Sequence, residues 1–360
     1  MNSVLRLLKQ KPLTLLLVVF PVTAAGSFLG WNATVLFILS ALAVIPLAGL
    51  IGDGTENLAM HTGPKMGGLI NATLGNAAEL IITLLAINKG LLELVKASIT
   101  GSIIGNLLFV LGLSILVGGA KNGVQKFDRR HTVNNSILLS IALLGLIIPS
   151  LFSHSTASGV NEKVETLSLC VAVVMIGLYS LGILFSFVEK KNEESIVPVE
   201  ALIEHGAWSV RKSLLILALA TGGIVWMSEI LVGSVEAVVA GSGISEFFVG
   251  IILVPIIGNV AEHLVAINMA IKNKMELSME IAISSSLQIA LFVAPVLVFI
   301  SLLFGNPLNL VFNPFELAAL MSAVIVTYFV SADGESNWLE GAALIAVYII
   351  FGLAFFIFPS

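Results

Sequence analysis

The sequence predicts an all-α, polytopic membrane protein with about 11 transmembrane helices. Of its 360 residues, 58% are apolar and only 11% are charged, against roughly 25% charged residues in a typical soluble domain. A soluble chain of this size could not cover so much apolar surface. This composition disfavours a soluble enzyme, a nucleic-acid-binding protein and a disordered chain. The single cysteine, Cys170, also excludes an intrachain disulfide and a multi-cysteine zinc site.

Apolar segments of about 20 residues recur along the whole chain, and each is long enough to cross the hydrocarbon core as a helix. The strict polar and apolar alternation of a β-barrel is absent. The predicted spans are 12–29, 32–51, 64–88, 95–119, 132–152, 164–188, 210–238, 246–271, 277–304, 315–331 and 339–358.

Basic residues predict the orientation of these spans, because cytoplasmic loops of membrane proteins are enriched in lysine and arginine. With a cytoplasmic N-terminus, only Lys89, Lys96 and Lys163 of the 17 basic residues fall outside. The basic N-terminus resembles a signal peptide, but no small-x-small cleavage site follows the first apolar run. That run is therefore interpreted as a retained helix. A prokaryotic plasma membrane is the expected location, and an organelle membrane is the alternative.

The chain divides into four predicted parts. Residues 1–31 form an N-terminal transmembrane helix, and residues 32–188 form a first five-helix repeat. Residues 189–209 form an acidic cytoplasmic linker, which is a solvated connection or, alternatively, a cation-sensing segment. Residues 210–360 form a second five-helix repeat.

Matching segments support this internal repeat. The segment Gly75-Asn76-Ala-Ala-Glu79 recurs as Gly258-Asn259-Val-Ala-Glu262, 183 positions later, and Leu108-Phe-Val recurs as Leu291-Phe-Val at the same spacing. Because each repeat has an odd number of helices, the second copy is predicted to be inverted across the membrane. Inverted repeats with polar residues at mid-membrane are a recurrent plan of secondary transporters.

Glu79 and Glu262 are the central candidate residues. A carboxylate within the membrane costs several kcal/mol unless it is paired, protonated or facing water. A protonated glutamate that bonds a neighbouring helix is the structural alternative. Asn76 and Asn259 lie three positions earlier, so each shares a helix face with its glutamate. Local unwinding near Pro255 and Thr73 would add carbonyl oxygens.

The two following helices are polar at matching depth. They offer Ser102 and Asn106 in the first repeat, and Ser285 and Gln288 in the second. For the serines, packing between helices is an equal alternative. Together these residues form an all-oxygen ligand set, which suits a hard cation such as calcium better than zinc or copper.

The two glutamates also provide a route to exchange. Together they balance the charge of one divalent ion, and when that ion leaves, protons can neutralise them. The predicted substrates are therefore Ca²⁺ and H⁺, and no cofactor is expected. The imidazole of His263 either joins a proton path or makes a structural hydrogen bond. The lipid bilayer is the expected partner, nucleic acid is not, and a homo-oligomer stays open.

At the repeated Gly-Asn-x-x-Glu segments, the sequence resembles the calcium/proton exchanger (CAX) family of the calcium/cation antiporter superfamily. The resemblance rests on residues 71–79, 98–106, 254–263 and 284–288, and the layout covers nearly the whole chain. It implies that Glu79 and Glu262 bind calcium and exchange it for protons. It also implies that the long helices two and seven are gating elements that slide to switch access.

Two departures from the family pattern matter. The linker is less acidic than in some relatives, and Ser284 stands where the first repeat has Gly101.

A sodium/calcium exchanger of the same architecture is the main alternative function, but the extra acid that sodium-coupled relatives often carry is missing. An ion channel would lack counter-ion coupling. An intramembrane enzyme is disfavoured because no nucleophile-base pair or metal-ligand spacing is found.

Overall fold

The structure is a computed structural model that describes residues 12–153, 160–189 and 208–358. Nine helices in these ranges are long and apolar enough to cross a membrane, and two shorter apolar helices accompany them. The long ones are Ala33–Thr62, Leu92–Asn122, Thr132–Ser153, Glu162–Phe185, Val210–Ser242, Glu246–Ile271, Met275–Leu303, Pro314–Ser331 and Trp338–Ile357; the shorter ones are Leu13–Phe28 and Ala77–Asn88. The all-α membrane fold is confirmed, while the number of crossings stays a prediction.

The helices carry the following labels. In chain order they are α1 (Val19–Phe28), α2 (Ala33–Leu74), α3 (Ala77–Asn88), α4 (Leu92–Ile104), α5 (Leu111–Asn122), α6 (Arg129–Ser153), α7 (Val160–Glu189), α8 (Val210–Ser242), α9 (Glu246–Phe248), α10 (Val254–Ile271), α11 (Met275–Gln288), α12 (Ala294–Leu303), α13 (Pro314–Ser331) and α14 (Trp338–Ile357). A 3₁₀ helix, Pro12–Val18, precedes α1. Three π-helical segments join consecutive helices: Gly105–Val110, Val249–Leu253 and Ile289–Val293.

Two compact units make up the described structure, and each combines two stretches of chain. The first consists of the described parts of residues 1–82 and 178–241, and the second of residues 83–177 and 242–360. Arg6, Lys9, Lys11 and nearly all of the predicted linker 189–209 lie outside the described residues.

In the first unit, α1 and the 3₁₀ helix before it pack against α2, and α2 also contacts α8 at two glycines. Gly54 of α2 faces Leu217 so closely that an added Cβ would lie 2.8 Å from its Cγ, and Gly223 of α8 similarly faces Leu47. The backbone N–H of Trp208 donates a hydrogen bond to Oδ1 of Asn57 (2.8 Å). Small residues at these crossings let the two long helices approach closely.

The predicted boundary between helices two and three is wrong. We expected separate helices over 32–51 and 64–88, but α2 continues to Leu74 and the break falls at Gly75 and Asn76. The polar stretch after residue 51 remains helical because its side chains bond back to the preceding turn. Asn57 Nδ2 donates to the Asp53 carbonyl (2.7 Å), and His61 Nδ1 lies 2.9 Å from the Asn57 carbonyl oxygen. These local bonds satisfy polar groups that predict a loop when composition alone is considered.

The second unit is held together by close helix contacts at glycines. Gly112 of α5 and Gly341 of α14 face one another, and an added Cβ on Gly341 would lie 2.6 Å from the Gly112 carbonyl oxygen. Two two-residue strands, Gln125–Lys126 and Glu335–Ser336, pair antiparallel beside these helices. Composition and periodicity did not predict this pair, which is too short to leave a period-2 signal.

An extended segment, residues 305–313, runs between α12 and α13. Leu308, Leu310 and Phe312 are buried. Their backbone N–H groups donate to serine hydroxyls, at 2.8 Å for Leu308 to Ser301, 3.1 Å for Leu310 to Ser168 and 2.9 Å for Phe312 to Ser150. Buried backbone outside helices needs such partners. The serines therefore hold this segment in place against α6, α7 and α12.

Candidate ion-binding site

The first candidate motif lies at a helix start rather than in the middle of a span. The chain turns at Gly75 and Asn76, and α3 begins at Ala77, which puts Asn76 at a favoured capping position. Glu79 lies in the first turn of α3, where the positive end of the helix dipole favours a carboxylate. Asn76 and Glu79 are 5% and 3% exposed. The interruption that we expected near this motif is therefore present.

The second candidate motif lies inside α10. Asn259 and His263 are buried, and Glu262 is partly exposed. Unlike the first motif, Gly258 and Asn259 do not interrupt their helix, so the expected unwinding does not occur there. The irregular backbone comes earlier, in the π-helical segment Val249–Leu253, where Val254 N–H bonds the Val249 carbonyl. Pro255 follows and has no N–H to offer the preceding turn.

Two ligand candidates of the second unit are in contact. Nδ2 of Asn259 lies 3.5 Å from Oγ of Ser102, at the outer limit of a hydrogen bond. Both side chains are 2% exposed. This approach is possible because Gly101, the neighbour of Ser102, has no side chain. Gly101 lies directly against the Ile251 carbonyl, and an added Cβ would lie 2.7 Å from Cγ of Pro255.

Asn106 and Gln288 both lie at π-helical segments. Asn106 is the second residue of Gly105–Val110, and Gln288 is the last residue before Ile289–Val293. Asn106 is 2% exposed and Ser285 5%, while Gln288 is partly exposed. Single π turns inside helices occur frequently at functional sites. Their presence beside both amides is a feature that the apolar pattern of the sequence does not reveal.

The nine candidate residues are divided between the two units. Asn76 and Glu79 belong to the first unit, and the other seven belong to the second. Throughout the described ranges, no group of three or more His, Cys, Asp or Glu side chains could hold a metal ion. The candidate residues offer amide and hydroxyl oxygens as well as carboxylates, and hard cations accept such a set.

Sequence reasoning missed a second polar cluster in the second unit. Glu93, Lys96 and Glu316 line a cavity of about 360 Å³ that is bordered by the extended segment before α13. Glu316 is 3% exposed. The sequence Asn313-Pro-Phe-Glu316 carries the capping-box spacing, which could have marked this helix start but not its buried partners.

Comparisons with known proteins agree with this architecture. The family model described as sodium/calcium exchanger protein matches residues 32–188 and residues 212–357. The chain is 42% identical to a Ca(2+)/H(+) antiporter of Synechocystis sp. over 98% of its own length and 99% of the relative. It is 43% identical to the Ca(2+)/H(+) antiporter ChaA of Bacillus subtilis over 94% of its length and 96% of the relative.

A solved structure of native YfkE matches with a TM-score of 0.84 at 40% identity, covering 96% of this chain and all of that one. A structure of an H+/Ca2+ exchanger CAX matches with a TM-score of 0.71 at 18% identity, covering 98% and 89% of the two chains, and supports the fold alone. With its helices, its repeated acidic motifs and these matches taken together, the chain belongs to the sodium/calcium exchanger protein family, whose members include calcium/proton antiporters.

Proposed function

We propose that this protein is a calcium/proton antiporter that exports Ca²⁺ from the cytoplasm in exchange for H⁺. The observation that carries this proposal is the pair of Asn-x-x-Glu motifs, Asn76 with Glu79 and Asn259 with Glu262, in a chain whose relatives at about 42% identity are named Ca(2+)/H(+) antiporters. This chain and these relatives match over nearly their whole lengths, so the proposal concerns the whole chain.

The exchange follows from the chemistry of the two glutamates. In the calcium-loaded state, Glu79 and Glu262 are ionised and together balance the divalent charge. Asn76, Asn259, Asn106, Gln288, Ser102 and Ser285 supply neutral oxygens that replace part of the hydration shell. After the ion leaves, up to two protons neutralise the carboxylates and remove the cost of bare charge in a low-dielectric site. That the two carboxylates hold one ion together stays a prediction from the repeat.

We place His263 beside this site as a residue of the proton path. It follows Glu262 directly in α10, and it is 6% exposed. Its Nε2 makes no hydrogen bond to any residue in the described ranges. Histidine is the side chain whose ordinary pKa lies near physiological pH, which suits it to take up and release a proton.

The inverted repeats are proposed to provide alternating access. The family model matches residues 32–188 and, separately, residues 212–357, as expected for two copies of one unit. The π-helical segments Gly105–Val110 and Ile289–Val293 end 183 positions apart, at Val110 and Val293. Helices α2 and α8, with 42 and 33 residues, extend about 63 Å and 50 Å, well beyond the hydrocarbon core, and are the proposed gating elements.

The distribution of basic residues supports a cytoplasmic N-terminus and the inversion of the second repeat. The bacterial relatives support a prokaryotic plasma membrane as the location. In this orientation, calcium leaves the cytoplasm as protons enter. The linker 189–209 connects the two repeats on the cytoplasmic side.

A gradient comparison tests the identity of the counter-ion. In everted vesicles, calcium uptake is expected under an imposed proton gradient and not under an equal sodium gradient. The second candidate, sodium/calcium exchange, is favoured by the description of the family model. Uptake driven by sodium alone would establish that alternative, and calcium flux that needs neither gradient would indicate a channel.

Asn259→Ala is expected to raise the calcium concentration at half-maximal uptake by about tenfold, because one neutral ligand oxygen is lost at a cost of roughly 1.4 kcal/mol. Asn268→Ala is the matched control, since Asn268 lies on the same helix and is exposed. The measurement is the calcium dependence of proton-driven uptake in vesicles. An unchanged half-saturation value in Asn259→Ala would remove Asn259 from the ligand set.

A further inference from the structure

Helix α4 is anchored on the face that lies away from Asn259. The hydroxyl of Thr100 donates a hydrogen bond to Oε1 of Glu316 in α13 (3.1 Å). Both side chains are buried, at 0% and 3% exposure. A hydrogen bond to a buried carboxylate is stronger than one between neutral groups, and losing its donor leaves that carboxylate less well solvated.

Glu316 is itself held in place by its own helix start. The Asn313 backbone N–H donates to Glu316 Oε2 (2.8 Å), and the Glu316 backbone N–H donates to Asn313 Oδ1 (2.8 Å). This reciprocal capping box sets the position of the carboxylate. Thr100 is therefore attached to a rigid point of α13.

A second anchor lies one turn earlier on the same face of α4. Lys96 Nζ donates to Oδ1 of Asn309 (2.7 Å), and positions four apart on a helix are neighbours. Asn309 belongs to the extended segment 305–313, whose backbone is bonded to buried serines on either side of it, at Leu308 and Leu310. The two anchors together hold α4 along about one turn.

The opposite face of α4 carries the candidate ligand. Gly101 contacts the Ile251 carbonyl, and Ser102 lies 3.5 Å from the Asn259 amide nitrogen. Helix α4 is therefore packed between the anchors on one side and the Val249–Leu253 segment and α10 on the other. A change in the distance between α4 and α13 would change the separation of Ser102 and Asn259.

We propose that Thr100 and Glu316 are positioning residues of the calcium site, with Lys96 and Asn309 as the supporting anchor. They contact no ion. They set the distance between Ser102 and Asn259, and through it the calcium affinity. This inference rests on the proposed calcium/proton exchange.

The test compares Thr100→Val, which removes the hydroxyl at nearly constant volume, with Thr100→Ser, which retains a hydroxyl. Proton-driven calcium uptake in vesicles is measured against calcium concentration, and the amount of folded transporter is measured by gel filtration in detergent. Thr100→Val is expected to raise the half-saturating calcium concentration roughly three- to tenfold, and Thr100→Ser to restore it. Thr132→Val is the matched control, because Thr132 is buried in the same unit and its hydroxyl donates to the carbonyl of Asp128, four residues earlier in the chain.

A purely structural role for Thr100 predicts a different result: fewer folded transporters, a lower maximal rate and an unchanged half-saturating concentration. That outcome would overturn the inference. If Thr100→Val does not fold, Lys96→Met releases the other anchor and is measured in the same way, and an unchanged half-saturating concentration there overturns it equally. Failure of the proposed function is distinguishable, because the unmodified protein would then show no proton-driven calcium uptake at all.

Discussion

Calcium uptake driven by a proton gradient is expected to fall to background when Glu79 or Glu262 is replaced by glutamine. Glutamine preserves the shape of the side chain but removes the charge, so neither variant can balance a divalent ion or release the proton that exchange requires. Charge compensation in a low-dielectric site is worth several kcal/mol, which corresponds to about a 100-fold loss or more. Initial rates in everted vesicles, normalised to the amount of folded transporter, measure the effect.

Glu162→Gln serves as the control for both variants. Glu162 lies in the first turn of α7 and is exposed, so its loss changes the charge of the protein without changing a buried site. This variant is expected to transport at the unmodified rate. Full exchange in Glu79→Gln and in Glu262→Gln would exclude both residues from the ion site and, with them, the proposed coupling chemistry.

Gly101→Ala is expected to have the second largest effect. An alanine Cβ would collide with the Ile251 carbonyl and lie 2.7 Å from Cγ of Pro255. The neighbour on this side is backbone and a rigid ring, so α4 has to move away from the Val249–Leu253 segment and α10. Overpacking of this kind costs about 1–3 kcal/mol. We expect a lower thermal unfolding temperature in detergent together with a strong loss of calcium uptake.

Gly177→Ala is the matched control, because beyond its own helix turn no atom of the described residues lies within 4 Å of an added Cβ at that position. It is expected to be neutral or slightly stabilising, since alanine favours helix more than glycine does. A Gly101→Ala variant that unfolds and transports like Gly177→Ala would show that α4 can move apart from α10 at no cost. It would also weaken the case for a site that depends on their close approach.

The contact between Gly101 and the Ile251 carbonyl explains why the two repeats differ at this position. Ser284 stands 183 positions after Gly101, and the sequence predicted only that this difference alters local packing. Gly101 lies directly against the Ile251 carbonyl, and a side chain at this position would collide with it. Ser284 is partly exposed in α11. The requirement for glycine is therefore a property of one crossing between helices and cannot be read from the repeat.

Much of the fold follows from the sequence because hydrophobicity and motif spacing are local properties. The apolar segments coincide with helices in the described ranges, and the polar break near Gly75 and Asn76 is present. The boundary between predicted helices two and three was wrong because residues 52–63 are polar yet satisfy themselves within the helix and pack against α8. Composition shows that a residue is polar, but it does not show which group that residue hydrogen-bonds in the folded protein.

For the candidate site, too, some features follow from local sequence patterns and others from contacts between residues that are far apart in the chain. The sequence by itself determined a membrane protein with two acidic motifs in repeated positions, since charge within an apolar span is costly wherever the span lies. Only the tertiary structure decided how α4 is held, because Lys96 and Asn309 are 213 positions apart and Thr100 and Glu316 are 216 apart. Contacts across such distances arise from the packing of complete helices, which no local pattern encodes.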